Sequence, residues 1–315
     1  MTLGAETVEE TRAFNAQLEA LHEQLPPIES VPVAVTRAAR KSGQGFLPAP
    51  VYDPRARWIE IPSRGGEVRV RVLAPEGEAR GAYLHIHGGG WVIGAADEQD
   101  DHLAEIADTA GLCAVSVEYR LAPDHPYPAG PDDCEDAALW LVENGARELG
   151  IPARFAIGGE SAGANLAATT LLRLRDRHRL GGAFAAANLV YGAFDLGGSP
   201  SRRAWGDRKL LLTDSGMRWF NECYLPGRGV EESRDPDVSP LYADLQEMPP
   251  ALFTVGTADP LLDDTLLMAA RWASSGNTVE LLVYEEACHA FNRMPIAVGR
   301  QANDAQLAFL RDAFR

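Results

Sequence analysis

The sequence predicts an α/β fold, a mixed and mostly parallel sheet with helices on both faces and a helical element appended at the N-terminus. Three observations predict it. Two strand-length segments with one wet face come first, and denser apolar strands then alternate with helices, which is the βαβα rhythm of a sheet covered on both sides. The chain has 315 residues, 46% hydrophobic and 23% charged, long for a single core but suited to an α/β domain with a lid. Finally, Gly159-Glu160-Ser161-Ala162-Gly163 lies between an apolar strand, Phe155–Gly158, and the helical run 164–172. There a serine on a sharp turn stands clear of the sheet, and only glycines fit two residues to either side.

In chain order, residues 5–25 read as an amphipathic helix, with Phe14, Leu18, Leu21 and Leu25 at helical spacing and Pro26-Pro27 as the stop. A second helix is expected over Val33 to Lys41, before the Gly43-Gln44-Gly45 break. Both precede any strand, so residues 1–50 form an appended element and 51–315 the main domain. Trp58–Pro62 and Val68–Val72 alternate apolar and polar residues around Ser63-Arg64-Gly65-Gly66, which predicts a hairpin with one wet face. Ala82–Ile86 and Leu112–Val117 are denser runs, followed by strands at Phe155–Gly158, Ala186–Tyr191, Ala251–Gly256 and Val279–Tyr284. Helices are expected at Gln99–Ala110, Pro131–Leu149, Leu262–Ser275 and Arg300–Phe314. Residues 198–248 interrupt the rhythm with Trp205, Leu210–Leu212, Trp219, Phe220 and Tyr224 among Pro- and Gly-rich loops. An insertion of that size predicts a lid or substrate wall, with 198–235 as its main part.

The formal net charge is 29 − 45 = −16. Such a surface repels nucleic acid and anionic membranes and argues against either as a partner. No run is long and apolar enough to span a bilayer, and the N-terminal segment is acidic and lacks the apolar core of a secretory signal. Cys113, Cys134, Cys223 and Cys288 are scattered, without a C-x-x-C pair, which fits free thiols. These features predict a cytoplasmic protein and offer no metal-ligand cluster.

A nucleophilic serine needs a base and an acid that orients the base. Of the seven histidines, only His289 follows a suitable acid, in the loop expected after the strand Val279–Tyr284. Asp259 lies three residues beyond the strand Ala251–Gly256, where catalytic groups of parallel sheets gather. Asp263 and Asp264 are its rivals, but they are expected inside the next helix. His87-Gly88-Gly89-Gly90-Trp91 directly follows the strand Ala82–Ile86. Amides of Gly88, Gly89 and Gly90 can crowd a substrate oxygen without a Cβ in the way, two of the three acting with the amide of Ala162. Removing a donor of that kind typically costs ~3–4 kcal/mol of transition-state stabilisation. Trp91, Trp205, Trp219 and Phe220 are candidates for the substrate wall.

With these motifs in place, the chain resembles the hormone-sensitive-lipase-like branch of the α/β-hydrolases, the bacterial esterases with an HGGG loop. Tyr119-Arg120-Leu121-Ala122-Pro123 and Pro126-Tyr127-Pro128-Ala129 match the branch's YRLAP and FPA segments, with Tyr127 in place of Phe. Asp237–Leu241 and Asp259–Asp263 match as well, so the resemblance runs from about residue 50 to the C-terminus. It implies a helical cap over an α/β-hydrolase domain. It also implies a cofactor-free carboxylesterase acting on short- to medium-chain esters through Ser161, His289, Asp259 and an acyl-enzyme. A homodimer through the strand Val279–Tyr284 is implied too. Amide or carbamate hydrolysis, as in arylformamidase-like relatives, is the alternative chemistry. A non-catalytic receptor on the same fold is disfavoured because the serine, acid and base are all present. Two departures stand out. Glu160 occupies a position more often Asp or Thr and is expected to alter cap contacts. Cys288 adjoins His289, where thiol reagents are expected to crowd the base.

Overall fold

The computed structural model describes residues 3–315. Eight strands form one sheet: β1 Arg57–Ser63, β2 Gly66–Leu73, β3 Gly81–Ile86, β4 Leu112–Glu118, β5 Phe155–Glu160, β6 Phe184–Val190, β7 Ala251–Ala258 and β8 Val279–Cys288. Their spatial order is β1-β2-β4-β3-β5-β6-β7-β8. β2 runs antiparallel to both neighbours and every pair from β4 to β8 is parallel. The wet-faced hairpin therefore lies at one edge. In β3 and β4, by contrast, nearly every side chain is buried, because helices cover both faces.

The helices are α1 Ala5–His22, α2 Val33–Lys41, α3 Asp100–Ala110, α4 Ala129–Trp140, α5 Ala146–Leu149, α6 Ala162–His178, α7 Pro200–Arg203, α8 Asp214–Tyr224, α9 Leu262–Ser274 and α10 Ala297–Ala313. One core cluster packs Leu84, Ile157, Leu166 and Trp272 with α4, α6 and α9. Another joins Tyr83 and Ala156 to α3 and α10 through Leu103, Ile106, Leu310 and Phe314. The single helix expected over 131–149 is instead α4 and α5, joined by a π-turn at Leu141–Gly145. A Gly-containing stretch with an extra residue in its turn locally adopts i→i+5 bonding, which the apolar period alone does not report.

β8 is the strand whose extent differs most from expectation. It continues past Tyr284 to Cys288, and Ala258 of β7 faces Cys288. The close approach depends on Gly256, since a Cβ there would lie 1.9 Å from the Ala287 carbonyl oxygen. One side of β8 has no strand partner. Toward its C-terminal end α1 covers it, with Asn15 Nδ2 donating to the Glu286 carbonyl at 2.7 Å.

α2 is fastened by Arg37, whose Nε donates to the Val92 carbonyl at 2.8 Å and Nη2 to the Ala122 carbonyl at 2.9 Å. These bonds hold it over the loop that follows β3. Residues 198–248 hold α7, α8 and short 3₁₀ turns, and α8 starts on Thr213, whose hydroxyl accepts the Gly216 amide at 3.0 Å.

Candidate active site

β5 ends at Glu160 and α6 begins at Ala162, leaving Ser161 alone on the turn with φ 57° and ψ −121°. This is a conformation a non-glycine residue adopts only when its surroundings enforce it. Here the enforcement is close packing. A Cβ on Gly159 would lie 2.1 Å from the Ile86 carbonyl oxygen, and one on Gly163 would lie 1.9 Å from the same atom. The Ser161 amide donates to the Val190 carbonyl at 2.9 Å, so the elbow is tied to β6 as well as β5.

The extension of β8 delivers His289 directly off the strand end. Its Nδ1 lies 2.8 Å from Asp259 Oδ2 and its Nε2 lies 2.9 Å from Ser161 Oγ. A carboxylate only accepts, so the proton between Asp259 and His289 sits on Nδ1, and Nε2 is free to accept the Ser161 hydroxyl proton. Asp259 is 1% exposed and its Oδ1 takes the Leu261 amide at 2.8 Å. The rival acids are engaged elsewhere. Asp263 Oδ2 accepts the Ser201 amide, and Asp264 Oδ1 accepts the amides of Phe194 and Asp195, all at 2.8 Å. Burial pushes the Asp264 carboxyl up to about 7.

The glycine loop is held by a network that sequence reasoning missed. The Gly88 amide donates to Glu160 Oε1 at 2.8 Å. Gly88 is therefore not a free donor, in contrast to the expectation from the motif. The amides of Gly89, Gly90 and Ala162 donate to no protein atom among the described residues. Gly89 and Gly90 have φ of 117° and 59°. A Cβ on Gly89 would lie 2.1 Å from the Ile93 carbonyl oxygen, so the turn requires glycine there.

Glu160 also accepts from Gln99 Nε2, and its Oε2 lies 3.2 Å from His85 Nε2. His85 Nδ1 in turn meets Ser116 Oγ at 2.9 Å. Burial alone raises the Glu160 carboxyl, but His85 and the Gly88 amide outweigh it and hold the group down to about 2. Glu160 thus serves the glycine loop, and the cap contacts expected of it are replaced by bonds to the main domain. His87 completes the arrangement. Burial lowers its pKa to about 4. The neutral ring donates from Nδ1 to the Gly88 carbonyl at 2.8 Å and stacks on Tyr119 at 4.3 Å, and the Tyr119 hydroxyl donates to the His87 carbonyl at 2.9 Å.

A pocket of about 460 Å³ opens over Ser161 and His289, walled by Leu25, Ile28, Val35, Phe46, Met217 and Phe220 among others. Phe220 lies over Gly90, where a Cβ would come within 2.3 Å of its ring. Trp91 borders the pocket too, but its indole is buried and stacked on Tyr224 at 4.5 Å, so it supports the wall from behind. Trp205 and Trp219 do not line it. Trp205 turns its Nε1 to the Leu212 carbonyl at 3.0 Å, and Trp219 packs against Phe220 with ring centroids 5.0 Å apart. Aromatic identity marked these residues, but rotamer and helix face decided which reach the pocket. Cys288 is fully buried, and burial pushes its thiol up to about 12. The sensitivity to thiol reagents expected from its position is therefore not supported, because such reagents attack an accessible thiolate. Among the described residues no three His, Cys, Asp or Glu side chains converge to hold a metal ion, and no helix is long and apolar enough to cross a membrane.

Residues 83–293 match a family model described as the alpha/beta hydrolase fold. The chain is 32% identical over 281 residues to carboxylic ester hydrolase LipN of Mycobacterium tuberculosis, covering 87% of this chain and 74% of that protein. It is 30% identical over 318 residues to carboxylesterase NlhH of the same organism, covering 98% and 90%. Among solved structures it is similar to the hyperthermophilic esterase from the archaeon Pyrobaculum calidifontis, with TM-score 0.85, 32% identity and 100% of each chain covered. A metagenomic ester-hydrolase from Lake Arreo, EH1AB1, gives TM-score 0.86 at 31% identity over 99% of each chain. With a matching model over two thirds of its length, relatives at this identity, and the glycine loop and serine elbow at the ends of β3 and β5, the chain belongs to the α/β-hydrolase family, in its hormone-sensitive-lipase-like esterase branch.

Proposed function

We propose that the protein is a carboxylesterase that cleaves short- to medium-chain carboxylic esters through an acyl-enzyme. The observation that carries this reading is the unbroken chain from Asp259 Oδ2 through His289 to Ser161 Oγ, with steps of 2.8 and 2.9 Å, at the floor of an apolar pocket. Ser161 Oγ attacks the ester carbonyl carbon as His289 Nε2 takes its proton, and Asp259 stabilises the imidazolium that forms. The carbonyl oxygen becomes an oxyanion facing the unpaired amides of Gly89, Gly90 and Ala162. As the intermediate collapses, the carbon–oxygen bond to the alcohol breaks and His289 returns the proton to the departing alkoxide. Water, deprotonated by His289, then attacks the acyl-serine. The carboxylic acid leaves and Ser161 regains its proton.

The helical segments 1–50 and 198–235 form the cap in this reading, since most of the apolar pocket wall comes from them. The Ser161→Ala variant tests the mechanism. Hydrolysis of a 4-nitrophenyl butyrate-type ester is expected to fall by about 10⁴-fold or more, and a fluorophosphonate probe is expected to label the wild type only. Turnover within tenfold of wild type in folded Ser161→Ala protein would remove Ser161 from the chemistry.

A further inference from the structure

In a chain with a net charge of −16, one guanidinium beside the pocket has no acid bound to it. Arg202 lies on α7, at the start of the 198–248 segment, and is 9% exposed. Its side chain makes no hydrogen bond or ion pair with any described residue, and burial lowers its pKa from the ordinary arginine value. Asp264, Asp214 and Asp195 act on it only through space, Asp264 the most strongly, and none forms a direct ion pair with it. Asp264 Oδ1 holds the amides of Phe194 and Asp195 while its Oδ2 bonds to no described residue, Asp214 pairs with Arg218, and Asp195 takes the Gly197 amide and the Tyr242 hydroxyl.

Arg202 and Asn221 border two spaces at once, the pocket above Ser161 and a neighbouring cavity of about 380 Å³. The other arginines of that cavity each make a contact of their own. Arg203 Nη1 donates to the Gly198 carbonyl at 2.5 Å, Arg218 is paired with Asp214, and Arg228 lies over the Tyr127 ring at 4.8 Å. Asn221 spends its amide nitrogen on the Leu196 carbonyl at 2.9 Å. Among the described arginines Arg202 alone borders both spaces, and its fork of donors is uncommitted. The Arg202 nitrogens are not among the sealed, unpartnered polar atoms, so they open to these spaces and their donors are available to an entering anion.

We propose that Arg202 receives a carboxylate of the substrate, so that the enzyme takes esters carrying a free carboxylate group remote from the scissile bond. The inference rests on the esterase reading above and narrows its substrate class. The planar guanidinium matches a carboxylate with two parallel hydrogen bonds. A monoanion suits one cation set among three acids better than a phosphate dianion does. The otherwise apolar pocket wall fits the methylene spacer between the two ends of such a molecule.

The experiment uses two matched pairs of esters, each with spacers of several lengths. In one pair the acyl chain ends in a carboxylate (4-nitrophenyl monoadipate) or in its neutral isostere (4-nitrophenyl 6-methylheptanoate). In the other pair the same two groups end the alcohol chain. The ratio of kcat/KM, anionic over neutral, is measured in wild type, Arg202→Gln and Arg202→Lys. For at least one pair, Arg202→Gln is expected to lower that ratio by about 10- to 100-fold, the usual worth of a charge-assisted hydrogen bond. Arg202→Lys, which keeps the charge but loses the fork, is expected to lower it several-fold, and it carries the comparison alone if Arg202→Gln does not fold. A ratio unchanged within twofold for both pairs overturns the proposal, because a purely structural Arg202 would affect anionic and neutral esters equally. Wild-type protein that hydrolyses no ester of either charge overturns this proposal and the esterase reading together, whereas an unchanged ratio with active enzyme overturns only the carboxylate assignment.

Discussion

Glu160 shows best what a single residue contributes to this site. It adjoins Ser161 in sequence, yet it acts on a loop 72 positions away by holding the Gly88 amide while His85 and Gln99 hold it. The meeting of Ser161, His289 and Asp259, the triad proposed above, was legible because each sits at the C-terminal end of a strand in the expected order. The Glu160 contact was not, because no local pattern reports which amide a side chain will reach. That one bond also removes Gly88 from the set of free donors and leaves Gly89 and Gly90. Glu160→Gln keeps an oxygen for Gly88 but loses the charge that faces His85. The variant is expected to lower kcat by about tenfold with little change in KM, since in the proposed mechanism the glycine loop serves the transition state more than the bound ester. The pH dependence has a definite sign. Glu160 titrates at about 2 in the folded protein against an ordinary value of 4.5, so its contribution to stability is present above about pH 4.5 and fades as pH falls toward 2. The difference in Tm between wild type and Glu160→Gln should therefore shrink across that window. A difference that stays constant in thermal scans from pH 7 to pH 3 would contradict the assignment.

At the scale of elements, α4, α6 and the segment at 235–240 are joined by a buried ionic network around Arg173. Its Nε donates to Asp237 Oδ1 at 2.7 Å, and its Nη1 reaches Asp132 at 2.9 Å and Glu135 at 3.2 Å. The Tyr127 hydroxyl donates to Asp237 Oδ2 at 2.6 Å, which gives the Tyr-for-Phe departure a structural reason. The Arg173 side chain is 2% exposed and that of Glu135 1%; removing the cation leaves Glu135 with Arg64, Arg177 and His178 but takes the most buried cation out of the network. Arg173→Ala is expected to destabilise the protein by about 2–3 kcal/mol, below the cost of a buried charge left with no partner, because Arg64, Arg177 and His178 remain on the carboxylates. Urea denaturation checks this, and a loss below about 1 kcal/mol would show that solvent screens the cluster. The elements themselves were largely legible. All eight strands stand within a few residues of their expected places, because apolar period and flanking glycines are local signals. The misjudged end of β8 depends on Gly256 admitting the Ala287 carbonyl, a contact between two strands rather than a property of either.

For the whole molecule, the pocket belongs jointly to parts of the chain that are far apart in sequence. Leu25, Ile28, Val35 and Phe46 come from the N-terminal segment, Met217 and Phe220 from α8, and Ser161 and His289 from the strand ends. A protein lacking residues 1–50 would keep the sheet and the Asp259–His289–Ser161 chain but lose one wall. Its kcat/KM is expected to fall at least tenfold more for an octanoyl ester than for an acetyl ester, because burial of each further methylene contributes about 0.8 kcal/mol only where a wall exists. A 4-nitrophenyl ester series from two to sixteen acyl carbons, with circular dichroism to confirm folding, measures this. Parallel losses along the series would argue against residues 1–50 as a substrate wall.

The sequence by itself determined the sheet and its flanking helices, the serine elbow, the order of its partners and the family resemblance. Those features obey short-range rules of apolar period, glycine at crowded turns and position at strand ends. The tertiary structure alone decided that Gly88 is occupied by Glu160, that Phe220 rather than Trp205 or Trp219 faces the pocket, that Cys288 is shielded, and that Arg202 makes no direct ion pair. Each of these depends on which partner, often tens to hundreds of residues away, comes within hydrogen-bonding or packing distance, and no local stretch of the chain encodes that distance.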